Sequence, residues 1–462
     1  MRVDRQLVVR VFVCIAIMVS LLLAQAEVFV DFGMTPTTHI GVAILVIAAT
    51  LWVTEAVPLF LTGFVILALS TTWLLPELQA AGGSQTTAVF LSPFFSDIIL
   101  LFLGGFVLSA ALHSHRLDER LAKAVLRLAG DSLTKLLLAI MLVTAFLSMW
   151  LSNTATTAMV LSLVMPIVHS LPSGDRRRKA IVLAVPFAAN IGGIGTPIGT
   201  PPNAIALTYL ARIGEAPTFG GWMLLAIPVV VVLLALAFFV LWLVYVRRQQ
   251  SEFAIDLASE PSPMTWRAWL AVATAFVTAL GWLTGAVHGL SSGTIALIPV
   301  LVLFTTGVLR TPDFRGLPWD VLFVMGGGLC LGRVIETSGT ADWLVAGLPT
   351  EQLGIIGLAV AVGVLGCAMS SVMSNTATAN LLLPVIAGLG LAYGDAKLVM
   401  VGVAVSCSVA MVLPISTPPN AIAFSSSEIK SVDLMKPGLL VTVSGVIVTY
   451  TLGLWWWSTL AA

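Results

Sequence analysis

The chain has 462 residues, 58% of them hydrophobic and only 10% charged, where an ordinary soluble domain is roughly a quarter charged, so it reads as an all-α polytopic membrane protein. A formal net charge of zero and the lack of any basic, aromatic-interleaved patch argue against a nucleic-acid partner. Cys14, Cys330, Cys367 and Cys407 stand singly in apolar runs, without metal-ligand spacing, and read as small core hydrophobes.

The first apolar stretch, Leu7 to Ala26, follows Arg2 and Arg5 and ends in Ala24-Gln25-Ala26, a pattern that secretory signals share. Its length of about 20 residues spans a roughly 30 Å hydrocarbon core, and more spans follow at once, so an uncleaved crossing is predicted at 7–27. Further crossings are expected at 39–55, 58–76 and 95–112. The stretch 114–128 mixes charges with leucines at helical spacing, which suits an amphipathic helix lying at the interface. A long apolar segment, 133–171, is broken near its middle by Ser152-Asn153-Thr154, which predicts two arms that each reach part of the way as a hairpin. After the basic run Arg176 to Lys179, the segment 179–211 is interrupted by the glycine and proline run 192–202, through which no straight helix survives. A crossing at 220–246 leads to a polar connector, 249–263. Crossings at 266–286, 291–308 and 318–336 and a polar interfacial piece at 337–350 come next. Paired arms at 352–391 broken at 374–376, a segment 398–427 broken at 417–419, and a last crossing at 437–459 complete the chain.

The second half repeats the first. Ser152-Asn153-Thr154-Ala155-Thr156 returns as Ser374 to Thr378, and Thr200-Pro201-Pro202-Asn203-Ala204-Ile205-Ala206 returns as Thr417 to Ala423. Leu103-Gly104-Gly105 matches Met325-Gly326-Gly327. Five full crossings lie between the two SNTAT breaks, and an odd number inverts the second copy. With the N-terminus inside, all but three of the twenty-two lysines and arginines (Arg212, Arg333 and Lys397) fall on the cytoplasmic side, as the positive-inside rule expects. The architecture expected is thus about 11 transmembrane helices plus two re-entrant hairpins in two inverted repeats, with the C-terminus outside.

Inverted repeats with discontinuous helices belong to secondary transporters, whose half-helix ends meet near the midplane. Irregular backbone is tolerated there only where protein or a cavity satisfies it. Asparagine and serine in SNTAT and threonine in TPPN are good N-caps and proline a favoured first helical residue, so four helix N-termini are predicted to converge on an anion without any basic side chain. No Asp, Glu, Lys or Arg occurs in 136–174, 180–211, 352–394 or 398–427. A proton relay would leave an intramembrane carboxylate or histidine, and His169 alone is a weak candidate. Sodium is content with neutral oxygens. The glycine run lacks the Lys-Ser/Thr ending of a phosphate loop.

The two SNT motifs, the duplicated TPPN runs and Trp52-Val53-Thr54-Glu55-Ala56-Val57-Pro58 resemble the divalent anion/sodium symporter family, the INDY-type di- and tricarboxylate transporters, over nearly the whole chain. The resemblance implies a homodimer in a bacterial inner membrane that moves succinate-like dicarboxylates with several sodium ions by an elevator-type motion. It divides the chain into scaffold halves at 1–131 and 249–351 and transport halves at 132–248 and 352–462. Carried over by motif, Asn153, Thr154, Asn375 and Thr376 face substrate, with Thr200, Pro201, Thr417 and Pro418 completing the wall. Sodium would be held by Ser148, Ser152, Asn153 and the Gly199 backbone in one half, and by Ser370, Ser374, Asn375 and the Ser416 backbone in the other. Gly199 is matched by Ser416, so the halves are chemically unequal.

Asn203 and Asn420 read as supports of the half-helix starts. Asn190 has Cys407 as its repeat counterpart, and Asp97, Arg333 and Glu336 read as interfacial or paired. A sodium-independent anion exchanger on the same fold is the nearest alternative. An intramembrane hydrolase would need a nucleophile with a base, which the charge-free segments do not supply, and opposed broken hairpins disfavour a channel.

Overall fold

The computed structural model describes residues 34–130, 132–247, 263–346, 350–393 and 396–461, and every regular element among them is helical. The first expected crossing, at 7–27, and most of the connector at 249–263 lie outside the described residues.

Thr35 caps α1 (Pro36–Thr54), accepting from the Thr38 amide, with proline at the first helical position. The helix ends where Glu55 turns left-handed (φ 48°). Pro58 then starts α2 (Leu59–Ala80), and buried Trp52 ties the corner by donating its indole N–H to Leu59 O at 3.2 Å. Helix α3 (Asp97–Ser114) follows. After Arg116 (φ 52°), α4 (Leu117–Arg127) lays buried Ala122 and Leu126 against its neighbour, as its amphipathic pattern predicts.

The expected hairpin consists of α5 (Leu133–Trp150) and α6 (Asn153–Ser170), 18 residues each. At 1.5 Å per residue each arm rises about 27 Å, and the two arms meet at the break that the sequence predicts at 152–154. The second hairpin is α14 (Ile356–Ser370) and α15 (Asn375–Tyr393). The broken segments are α7 (Arg176–Gly193) with α8 (Pro201–Arg212), and α16 (Ala396–Ser408) with α17 (Pro418–Ser425). Helix α9 (Phe219–Val246), α10 (Trp266–Leu283), α11 (Ser292–Thr305), α12 (Trp319–Thr337), the short α13 (Thr340–Ala346) and α18 (Ser431–Leu460) complete the set.

The second break differs from its prediction. Helix is lost from Val409, eight residues before Thr417, rather than at the TPPN run itself. Pro414 cannot continue the ladder. The freed backbone is taken up by Thr442 of α18, whose hydroxyl donates to Val409 O and accepts from Met411 N, both at 3.0 Å. Such partners are what let backbone unwind at membrane depth.

Seven helices among the described residues, six of the expected crossings and the hairpin arm α5, are long and apolar enough to cross a membrane on their own. The rest of the expected crossings fall short of that measure for visible reasons. The broken segments are half-length by construction, α11 is shorter than a span, and α12 carries Asp320, Arg333 and Glu336.

Packing crosses the repeats. Helix α8 of the first copy lies against α15 and α16 of the second, and α17 of the second lies against α6 and α7 of the first. One large buried cluster joins 122–246 to 359–457 around these contacts. Smaller clusters lie beside it, among them one on α3, α10 and α11 and one on α1, α2 and the end of α12. In the latter, Gly63 and Gly327 touch backbone to backbone: a Cβ on Gly63 would stand 2.9 Å from Phe323 O and 3.1 Å from Gly327 Cα. Small residues allow such approach where no hydrophobic force drives helices together.

Candidate functional site

Each SNT motif is a helix start. Ser152 caps α6 in extended conformation and accepts from Ala155 N at 3.3 Å, and Ser374 stands equivalently to Ala377 N at 3.5 Å. Asn153 and Asn375 are therefore the first residues of their helices, part-exposed, with Thr154 and Thr376 next in the same turn. Thr200 and Thr417 are buried N-caps with Pro201 and Pro418 at the first helical position. Four helix N-termini arise where the sequence predicts them, and the cross-repeat packing brings them into one bundle.

The first half holds a cluster of oxygens. The Ser148 hydroxyl lies 2.5 Å from Asn153 Oδ1 and 2.8 Å from Ala189 O, both acceptors, and has one proton to offer them. A Cβ on Gly193 would stand 2.6 Å from Asn153 Oδ1 and 2.9 Å from Gly199 O, so the Gly199 carbonyl converges on the same space. Only a residue without Cβ leaves that space open. Ser152, although adjacent, spends its hydroxyl on the cap.

The loop 194–200 is held from behind. The Asn203 amide nitrogen lies 2.8 to 3.1 Å from Gly193 O, Ile194 O and Thr196 O, the Trp222 indole donates to Ile194 O at 3.1 Å, and Thr196 Oγ1 donates to Met149 O. Asn203 thus supports the half-helix start, as its sequence position suggests. Its Oδ1 is buried without a partner.

The second half is looser. Ser370 donates to Asn375 Oδ1 at 2.9 Å. Asn420 ties its loop through Leu413 O and Ser416 Oγ, each 3.1 Å from its amide nitrogen. Ser416 Oγ turns back to Leu413 O at 2.7 Å, so its hydroxyl is committed to its own loop.

Other polar residues sort themselves by contact. Asp97 receives Ser291 Oγ and Gly293 N, and Glu336 pairs with Arg333 at 3.0 Å and Arg212 at 3.5 Å, in keeping with paired roles near span ends. His169 sits exposed at a helix end, 3.5 Å from Glu428, which also pairs with Arg178. Asp175, in the loop between α6 and α7, is opposed by burial, but bonds from the Arg177 guanidinium and amide outweigh it and hold its carboxyl below the usual range.

Sequence reasoning passed over Asn380, buried on α15 and donating to Val324 O of α12 at 3.1 Å. It also gave no role to the repeated hydroxyls of Thr156 and Thr378, which are buried without a hydrogen-bond partner. Their recurrence in both SNTAT copies was the available signal.

A helical membrane bundle whose interrupted helices come in duplicate around neutral oxygens is the build of a secondary transporter and not of an enzyme. The chain belongs to the family described as the sodium:sulfate symporter transmembrane region, whose profile matches residues 5–462. It is 32% identical over 450 residues to an uncharacterized transporter of Haemophilus influenzae, covering 91% of this chain and 92% of that one. It is 34% identical over 455 residues to the sodium-dependent dicarboxylate transporter SdcS of Staphylococcus aureus, covering 88% and 84%. The fold is similar to that of the Alcanivorax borkumensis YdaH transporter, with a TM-score of 0.56, 14% identity, and 80% and 87% of the two chains covered. The family's description names a symporter of sodium with an anion.

Proposed function

We propose that this protein is a sodium-coupled symporter of C4 dicarboxylates such as succinate, carrying them into the cytoplasm. The observation that carries the reading is the Ser148, Asn153 and Ala189 oxygen cluster, with its Ser370 and Asn375 counterpart, at helix N-termini free of ionisable side chains. Three oxygens sharing one proton repel each other until a cation enters. A sodium ion there uses Asn153 Oδ1 and leaves the amide N–H groups of Asn153 free to donate to a carboxylate. Helix N-termini, each equivalent to about half a positive charge, add to the attraction for the anion. The second half does the same through Ser370, Asn375 and the Ser416 backbone. Cation and dianion then neutralise each other, which lowers the cost of carrying charge through a low-dielectric layer. The similarity to SdcS, named a sodium-dependent dicarboxylate transporter, supports the substrate class.

In this reading the halves at 132–248 and 352–462 form the moving transport body, and those at 1–131 and 249–351 form the scaffold of a homodimer. The N-terminus is cytoplasmic and the C-terminus outside. Uptake of labelled succinate by reconstituted protein, competed by C4 dicarboxylates, citrate and sulfate with and without sodium, tests substrate and coupling together. Competition by C4 dicarboxylates only, and only in sodium, supports the proposal. Uptake that requires liposomes preloaded with a second anion and ignores sodium identifies an exchanger instead.

A further inference from the structure

Two consecutive residues of α7 face different halves of the site. Ala189 O lies 2.8 Å from Ser148 Oγ in the first half. The side chain of Asn190, buried at 2% exposure, donates across the repeat boundary to Thr417 Oγ1 at 3.1 Å and Asn420 Oδ1 at 3.3 Å. Thr417 also accepts from Asn420 N, capping α17. Holding the Asn420 oxygen aims that residue's amide nitrogen at Leu413 O and Ser416 Oγ, and so fixes the loop at 409–417.

The repeat has no second strap. Ser406 and Cys407 occupy the equivalent positions on α16. Ser406 donates to Tyr450 Oη at 3.3 Å, and the Cys407 sulfur lies 3.3 Å from where a Cβ on Gly366 would be. Asn203, the counterpart of Asn420, is correspondingly left with its buried Oδ1 unpartnered. The asymmetry runs one way: from the first half's cation oxygens, along one peptide unit, to the second half's loop.

We infer that Asn190 is a positioning residue that couples the two cation half-sites, so that sodium among Ser148, Asn153 and Ala189 O sets the loop at 409–417 for the second ion. This rests on the sodium-coupled reading above. Coupling between sites is reciprocal, so it appears as cooperativity in sodium rather than as a change in one affinity alone.

The test compares wild type with Asn190→Ala and with Asn190→Cys, which places here the residue the repeat carries and keeps the site filled should alanine fail to fold. Initial succinate uptake is titrated with sodium, and sodium-dependent thermal stabilisation of the purified protein in detergent provides a readout independent of transport. The expected result is a sodium Hill coefficient falling toward 1 and a half-saturating sodium concentration raised roughly fivefold, the scale of one lost buried hydrogen bond. Maximal uptake at saturating sodium should change less. Folded variants with the wild-type Hill coefficient and half-saturation would overturn the inference, as would a loss of maximal rate with an unchanged sodium curve, which marks a merely structural role. A wild type that neither transports nor is stabilised in a sodium-dependent way would instead remove the underlying sodium reading.

Discussion

Ser148 has one hydroxyl proton and two oxygens within reach of it, and this imbalance is the chemical seed of the site. In the proposed reading, replacing Asn153 or Asn375 by alanine removes an oxygen for the cation and a donor for the anion at once. Each variant is expected to fold and to lose succinate uptake by well over tenfold; near-normal uptake with normal sodium dependence in both would refute the assignment. Away from the site, Asp175 caps α7 and binds Arg177, and its carboxyl is held below the ordinary value near 4. A lowered folded pKa means that its contribution is present above about pH 4 and is lost as pH falls through the folded value. Asp175→Ala should therefore lower the apparent Tm at neutral pH, by the equivalent of about 1 kcal/mol for a lost cap, and the gap from wild type should close below pH 4. The asparagines of the SNT motifs were legible because the chain writes them twice. The partner of Asn190 was not: it lies on the other repeat, 227 residues away, and no local pattern announces it.

At the scale of elements, helix starts were readable and one helix end was not. SNT and TPPN carry their caps and prolines in their own letters, so α6, α8, α15 and α17 begin where the sequence says. Val409 to Leu413 is apolar and would pass for helix. What unwinds it is Pro414 together with Thr442 on α18, whose single hydroxyl serves Val409 O and Met411 N. Thr442→Val leaves two buried backbone groups unpaired, at about 1 to 3 kcal/mol each. It is expected to lower the apparent Tm and weaken uptake, whereas Thr442→Ser keeps the hydroxyl and should remain close to wild type. Equal behaviour of the two variants would show that the loop does not depend on that bridge.

For the whole molecule, the duplicated pattern made the helical architecture and the family legible, while the contacts between bodies emerged only from packing. Helix α12 is gripped from α15 by Asn380 at Val324 O and from α8 by Tyr209 at Gly328 O and Arg212 at Glu336. In the proposed reading both gripping helices belong to the moving halves, so an elevator-type slide would have to break these bonds. Cysteines placed at Arg212 and Glu336, in a background with Cys14, Cys330, Cys367 and Cys407 replaced, and bridged by a short cleavable reagent, should stop uptake, and cleavage should restore it. Full uptake while bridged would contradict the slide. The central claim is that sodium drives the anion, and accumulation of labelled succinate in proteoliposomes under an imposed inward sodium gradient tests it most directly. The account predicts accumulation above the external concentration that vanishes when potassium replaces sodium. Uptake that reaches the same level with either cation would contradict it.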